Sequence, residues 1–156
     1  MAGISIPENV RLVPLDFEQI SLREGLSGSG FDFARPAAFS LLGVTQYLSE
    51  ASLDMTLKFV LSMPAASEVV LSFVLPEADL PEDEANLAAM GAAGAAASGE
   101  PWLSRFHPQQ LAAKLEAMGF SKLAHLSPEE ASQRYFNSRS DRLATLVMEQ
   151  MIRAIV

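Results

Sequence analysis

The sequence contains no cysteine, which excludes disulfides, thiol catalysis and cysteine-ligated metal. That absence fits a cytoplasmic protein. Histidine is almost as scarce. His107 and His125 are too few for a histidine-rich metal site, and no metal is expected. Positive charge is also short, with 11 Lys and Arg against 19 Asp and Glu, for a net charge of -8. No cluster of Lys or Arg offsets this. A polyanion would be repelled over most of the surface, so nucleic acid is not an expected partner. No apolar run approaches the roughly 20 residues of a membrane span. Residues 1–8 have neither the basic region nor the apolar core of a signal peptide. A membrane is therefore not an expected partner either.

What remains suits one folded domain spanning residues 1–156. The chain is 49% hydrophobic and 19% charged, enough for a sizeable core and too apolar for bulk disorder. The central stretch runs from Ala37 to Ser49. Ala38–Val44 is an apolar run of strand length without polar alternation, which suits a strand buried on both faces. It breaks at Gly43 and turns polar at Thr45 and Gln46, and Ser49 then stands ready to cap a helix. Strand, short loop and helix start read as one unit of an open α/β sheet. Ligands of such sheets sit past the carboxyl ends of the strands, which directs attention to Gly43–Tyr47.

The remaining elements follow in order. Asn9–Leu15 reads as a short strand ending near Pro14. Ser21 and Glu24 have capping-box spacing, so a short helix is expected there. The Gly25–Gly30 segment is a flexible loop. Leu53, Leu57, Val60 and Leu61 recur at helical spacing and predict a helix over 50–62. Val69–Leu75 predicts a second buried strand, closed by Pro76. Residues 77–100 open with acids and continue into an alanine-rich tract, as expected of a mobile helix or lid. A helix is predicted from Pro108, ending at Gly119 in the left-handed region. Residues 121–126 predict a third strand, and Ser127 with Pro128 and Glu130 a helix start running to about Tyr135. A final strand is expected from about Gln150. The alternation predicts α/β architecture with a mostly parallel sheet.

Several short motifs occur in one order: Val13-Pro-Leu-Asp-Phe-Glu18, Leu42-Gly-Val-Thr-Gln-Tyr-Leu48, Gly99-Glu-Pro-Trp102 with Phe106 and Pro108, Gly119-Phe120, and Arg134-Tyr-Phe136. Together they resemble the leucine carboxyl methyltransferase-like family, in its bacterial branch of class I S-adenosylmethionine-dependent O-methyltransferases. The resemblance covers nearly all the chain. It implies a Rossmann-like, mostly parallel sheet of strand order 3-2-1-4-5-7-6 with an antiparallel last strand. It also implies S-adenosylmethionine as co-substrate and a small-molecule or carboxylate acceptor. The family's glycine-rich loop after the first strand and its ribose-binding acid after the second have no counterpart here. The Gly25–Gly30 segment does not follow a strand directly and matches no nucleotide fingerprint. The chain thus looks like a C-terminal half, with the first two strands of the fold missing.

The resemblance assigns expectations to individual residues, each with a structural alternative. Asp16 and Phe17 would bind adenine, or Asp16 would be a helix cap, with Gln19 three residues on. Gly43 would admit the cofactor to the backbone, or permit tight helix packing. Tyr47 would orient an acceptor oxygen, or be an ordinary half-buried tyrosine. Glu100, Trp102 and Arg105 would lie on the substrate side, with Arg105 meeting an acidic acceptor. Otherwise Trp102 anchors the lid and Arg105 forms a surface ion pair. No catalytic base is named. With two strands missing, either Asn9–Leu15 moves in beside Ala38–Val44, or that strand becomes an edge open to another chain, as in a homodimer. The alternative to an enzyme is a non-catalytic Rossmann-like module that dimerises or binds a partner.

Overall fold

The computed structural model describes residues 6–141 and 143–156. Residues 1–5, which hold most of the stretch read above for a signal sequence, lie outside the described residues, as does Arg142. Four strands form one sheet in the order β1-β2-β4-β3. They are β1 (Ala38–Leu41), β2 (Glu68–Val74), β3 (Lys122–Leu126) and β4 (Glu149–Ile155). β1 and β2 pair in parallel, while β4 runs antiparallel to both β2 and β3. Three strands therefore point one way and the last strand alone is reversed. This order matches the 4-5-7-6 end of the sheet that the resemblance implies.

The helices are α1 (Leu22–Leu26), α2 (Glu50–Leu61), α3 (Glu82–Ala97), α4 (Pro108–Met118) and α5 (Pro128–Ala131). Their ends follow local chemistry. Ser21 and Glu24 close a reciprocal capping box on α1. The Ser49 hydroxyl accepts from the Ser52 backbone N–H at the start of α2, and Gly119 ends α4 at φ 114°. The helix expected from Ser127 to Tyr135 is α5 followed by a wider π-type turn over Ser132–Phe136.

One face of the sheet carries the core. Leu53, Leu57 and Val60 of α2 and Leu111 and Leu115 of α4 are fully buried with Val69, Leu71, Phe73, Ile152 and Ala154. Burial of each of these side chains other than Ala154 contributes about 1.5–3 kcal/mol.

Two expectations need correction. Asn9–Leu15 is not a strand; it runs as irregular chain with no ladder partner. Strand propensity there is real, but a strand exists only when a neighbour supplies its hydrogen bonds. Nor does the segment move in beside β1, which pairs with β2 alone. The Ala38–Val44 run forms a strand only to Leu41, because Gly43 turns the chain at φ 67°.

Candidate functional site

The carboxyl ends of β1 and β2 are built over by the loop after β1 and by the segment after α3. Gly43 N–H donates to the Ser72 hydroxyl at 2.8 Å, and the Thr45 hydroxyl donates to the Ser72 carbonyl at 2.6 Å. Residues 45–47 form one short helical turn, with Thr45 and Gln46 buried. The Gln46 carbonyl accepts from Leu103 N–H at 2.6 Å, and the Ser104 hydroxyl donates to the Leu48 carbonyl at 2.6 Å. Phe106 N–H donates to the Val74 carbonyl at the end of β2. The loop is thus tied to the sheet on one side and to residues 103–106 on the other.

A third segment closes against this edge. The Glu18 carboxylate accepts from the Ser49 N–H at 2.9 Å and the Ser49 hydroxyl at 3.0 Å, at the amino end of α2. The Ser49 N–H and the neighbouring serine hydroxyls hold the Glu18 carboxyl below its ordinary range. Asp16 organises the preceding turn, accepting from the Glu18 N–H at 2.9 Å and the Gln19 amide at 2.6 Å.

Between these segments lies an open groove of about 680 Å³. Its walls include Asp16, Phe17 and Glu18 from one segment, Tyr47 and Leu48 from a second, and Gly99, Glu100 and Leu103 from a third. Four of the seven anticipated site residues, Asp16, Phe17, Tyr47 and Glu100, therefore line one cavity. Asp16 and Glu100 are exposed, and Phe17 and Tyr47 are half-buried.

Gly43, Trp102 and Arg105 do not line that groove. Gly43 is exposed at the end of β1, and a Cβ there would meet nothing within 4 Å. Its glycine requirement comes from its positive φ, not from helix packing. The Trp102 ring sits against α3, about 3.4 Å from where a Cβ at Gly91 would lie. Arg105 pairs with Glu77 at 2.9 Å, its guanidinium 5.3 Å from the Trp102 ring centre. Among the described residues, Trp102 Nε1, Arg105 Nη1 and Gln46 Oε1 are nonetheless buried without a hydrogen-bond partner. Two donors and one acceptor left open can receive polar groups of a ligand or ordered water.

Glu18, Ser72 and Ser104 were not singled out by sequence reasoning. Glu18 lies inside a quoted motif, but its partner is 31 residues away. The Ser104 partner is 56 residues away, and no local pattern marks such a bond. Among the described residues, no group of three His, Asp or Glu side chains is gathered to hold a metal ion. No helix among them is long and apolar enough to cross a membrane.

Comparison with known proteins bears on the fold. Two solved structures share the fold. One is a candidate O-methyltransferase from Nostoc punctiforme PCC 73102, at TM-score 0.50 and 13% identity, matching 80% of this chain and 33% of that one. The other is a SAM-dependent methyltransferase from Archaeoglobus fulgidus, at TM-score 0.50 and 16% identity, matching 80% and 61%. The sheet and its helices therefore have the methyltransferase fold.

The family model for leucine carboxyl methyltransferase matches residues 1–61. The candidate S-adenosyl-L-methionine-dependent methyltransferase YktD of Bacillus subtilis strain 168 is 29% identical over 163 residues, across 99% of this chain. The chain spans about half the length of that relative, 51%. The likeness carried by the motifs is thus met by a family model over residues 1–61 and by one relative along nearly the whole chain.

Proposed function

We propose that this chain forms the C-terminal part of a cytoplasmic S-adenosylmethionine-dependent methyltransferase acting on a hydroxyl or carboxylate oxygen of a small acceptor. The observation that carries the reading is the single groove lined by Asp16, Phe17, Tyr47 and Glu100, brought together from three distant segments. It lies where open α/β sheets hold their ligands. The same groove weighs against the alternative of a non-catalytic module.

The residues present fit the adenine end of the donor. A carboxylate has about four acceptor positions, and Asp16 uses two of them within its own turn, leaving room for an adenine amino group. Phe17 offers a backbone N–H and an apolar ring. The glycine-rich turn that would grip the amino-acid end is not among the described residues, and another part of the protein would supply it. The donor would supply an electrophilic methyl group, passed to the acceptor oxygen with the C–S electron pair staying on sulfur.

The protein's task is then positioning. The acceptor oxygen must lie about 3 Å from the methyl carbon, in line and in a dry site. Tyr47 would orient that oxygen. Glu100 would lie on the acceptor side of the groove, and the Trp102 N–H and Arg105 Nη1, outside its lining, would be the donors for an acidic acceptor that reaches past it. An ionised carboxylate needs no general base. A hydroxyl acceptor does, and Tyr47 and Glu100 are the titratable groups on the acceptor wall.

Calorimetric titration with S-adenosylmethionine and its demethylated product tests the reading. A saturable signal is expected, weakened roughly tenfold or more by Asp16→Ala, as for loss of a charged hydrogen bond worth about 1.5–3 kcal/mol. Absence of binding, alone and with the complementing polypeptide described below, returns the chain to the non-catalytic alternative.

A further inference from the structure

One face of the sheet is covered by helices; the other is covered only in part, with Ser72 and Val74 of β2 buried there. Helices α2 and α4 cover the face bearing Val69, Leu71, Phe73 and Ile152. On the opposite face the register aligns Ser40, Val70, Arg153 and Ala124 in one row across all four strands. Ser40, Ala124 and Arg153 are exposed, as is Met151 in the next row. α5 and the turn after it reach over this face at the β3 side. They leave a groove of about 330 Å³ floored by Val70, Ala124 and Met151. Parallel strands are ordinarily covered on both faces, so a bare parallel pair is an unfinished layer.

Two further observations point the same way. Among the described residues β1 pairs only with β2, so its outer edge presents unladdered backbone. The irregular 9–15 segment exposes apolar side chains that a strand would bury, with Val10 39% and Leu12 74% exposed. The chain also spans 51% of the length of its Bacillus relative, so a polypeptide of comparable size accompanies the matched part there.

We propose that the β1 edge and the bare sheet face form one docking surface for a polypeptide that resembles the unmatched part of that relative. It adds parallel strands beside β1, lays an amphipathic helical layer on Val70, Ala124 and Met151, and gives residues 9–15 a ladder partner. A second copy fits less well. A two-fold pair through β1 would join two four-residue edges antiparallel and leave both bare faces uncovered.

The test is co-expression of this chain with the part of YktD that it does not match, as separate polypeptides. Mass is read by light scattering and β1 by hydrogen exchange. A one-to-one complex is expected, with amides of residues 38–41 exchanging roughly tenfold or more slowly than in the chain alone. Val70→Glu and, independently, Ser40→Arg on the bare face should abolish the complex. Met55→Glu on the outer side of α2 should not. Circular dichroism of each isolated variant checks that it still folds.

Three results overturn the proposal: no complex, a complex indifferent to both bare-face variants, or a homodimer of the chain alone that protects the same amides. Complex formation is scored without the methyl donor, so this proposal and the donor-binding reading fail separately.

Discussion

Gly43 offers the sharpest separation of backbone strain from ligand space. Its φ of 67° lies in the left-handed region, and its N–H is fixed by the Ser72 hydroxyl at 2.8 Å. A Cβ there meets nothing within 4 Å, so Gly43→Ala introduces no clash. The expected cost is the left-handed conformation alone, about 1–2 kcal/mol. In a chain of 156 residues that lowers the melting temperature by about 2–8 °C, at about 2–4 °C per kcal/mol. Gly43→Asn should recover most of this loss, because asparagine tolerates the left-handed region. If the space over Gly43 belongs to the ligand, the two variants rank oppositely in donor titration. Asparagine should bind more weakly than alanine while being the more stable protein. Thermal melts and calorimetry on the same preparations read both quantities. A loss beyond about 4 kcal/mol in Gly43→Ala would refute the open-space geometry. Parallel falls in stability and binding across both variants would refute the assignment of that space to a ligand.

Other perturbations address the frame around the groove. Glu18 has a folded-state pKa lowered by its bonds to Ser49 and Ser52, so its contribution is present above the ordinary value of 4.5 and lost as pH falls through the folded value. The stability difference between wild type and Glu18→Gln should therefore be present at neutral pH and shrink below about pH 4.5 in melts across that range. Glu84 in the first turn of α3 accepts from Val147 N–H at 3.0 Å and Met148 N–H at 2.7 Å, fastening α3 to the entry of β4. Glu84→Gln should cost about 1–2 kcal/mol and speed exchange at both amides. Unchanged exchange would remove the proposed fastening. Leu57, fully buried under the sheet, should cost about 2–5 kcal/mol as Leu57→Ala by denaturant melts, and markedly less would contradict its place in the core.

The elements readable from sequence were those whose cause is local. Ser21 with Glu24, Ser49, Pro108, Gly119 and Ser127 each act within one turn, and each marks a real boundary. Val69–Leu75 announced β2 through an unbroken run of strand formers that the core then buries. Asn9–Leu15 carried a similar signal without forming a strand, because a ladder is completed by residues far along the chain or outside it. The groove was legible only as ordered motifs. Nothing local to Asp16 or Tyr47 says that they meet. Their meeting depends on Glu18 reaching Ser49 and on Gln46 receiving Leu103, bonds spanning tens of residues. For Trp102 and Arg105 the geometry shows the structural alternative, an anchor against α3 and an ion pair with Glu77.

The loop that presents Tyr47 is held before any ligand arrives, and Thr45 is the place to test that. Thr45 is 1% exposed and donates to the Ser72 carbonyl at 2.6 Å, while the Ser72 hydroxyl holds Gly43. One residue of β2 thus fixes both ends of a two-residue step. Thr45→Val keeps the shape and removes the donor, leaving a buried carbonyl short of a partner at a cost of about 1–3 kcal/mol. Thr45→Ser keeps the donor and loses one methyl group. If the bond is what positions the loop, valine should be the worse variant both in melting temperature and in hydrogen exchange at Gln46 and Tyr47. If packing of the methyl group dominates, serine should be the worse and exchange in the loop should follow it. The second outcome would show that the carboxyl edge is set by core shape, and that the preorganisation argued for Tyr47 does not run through Ser72.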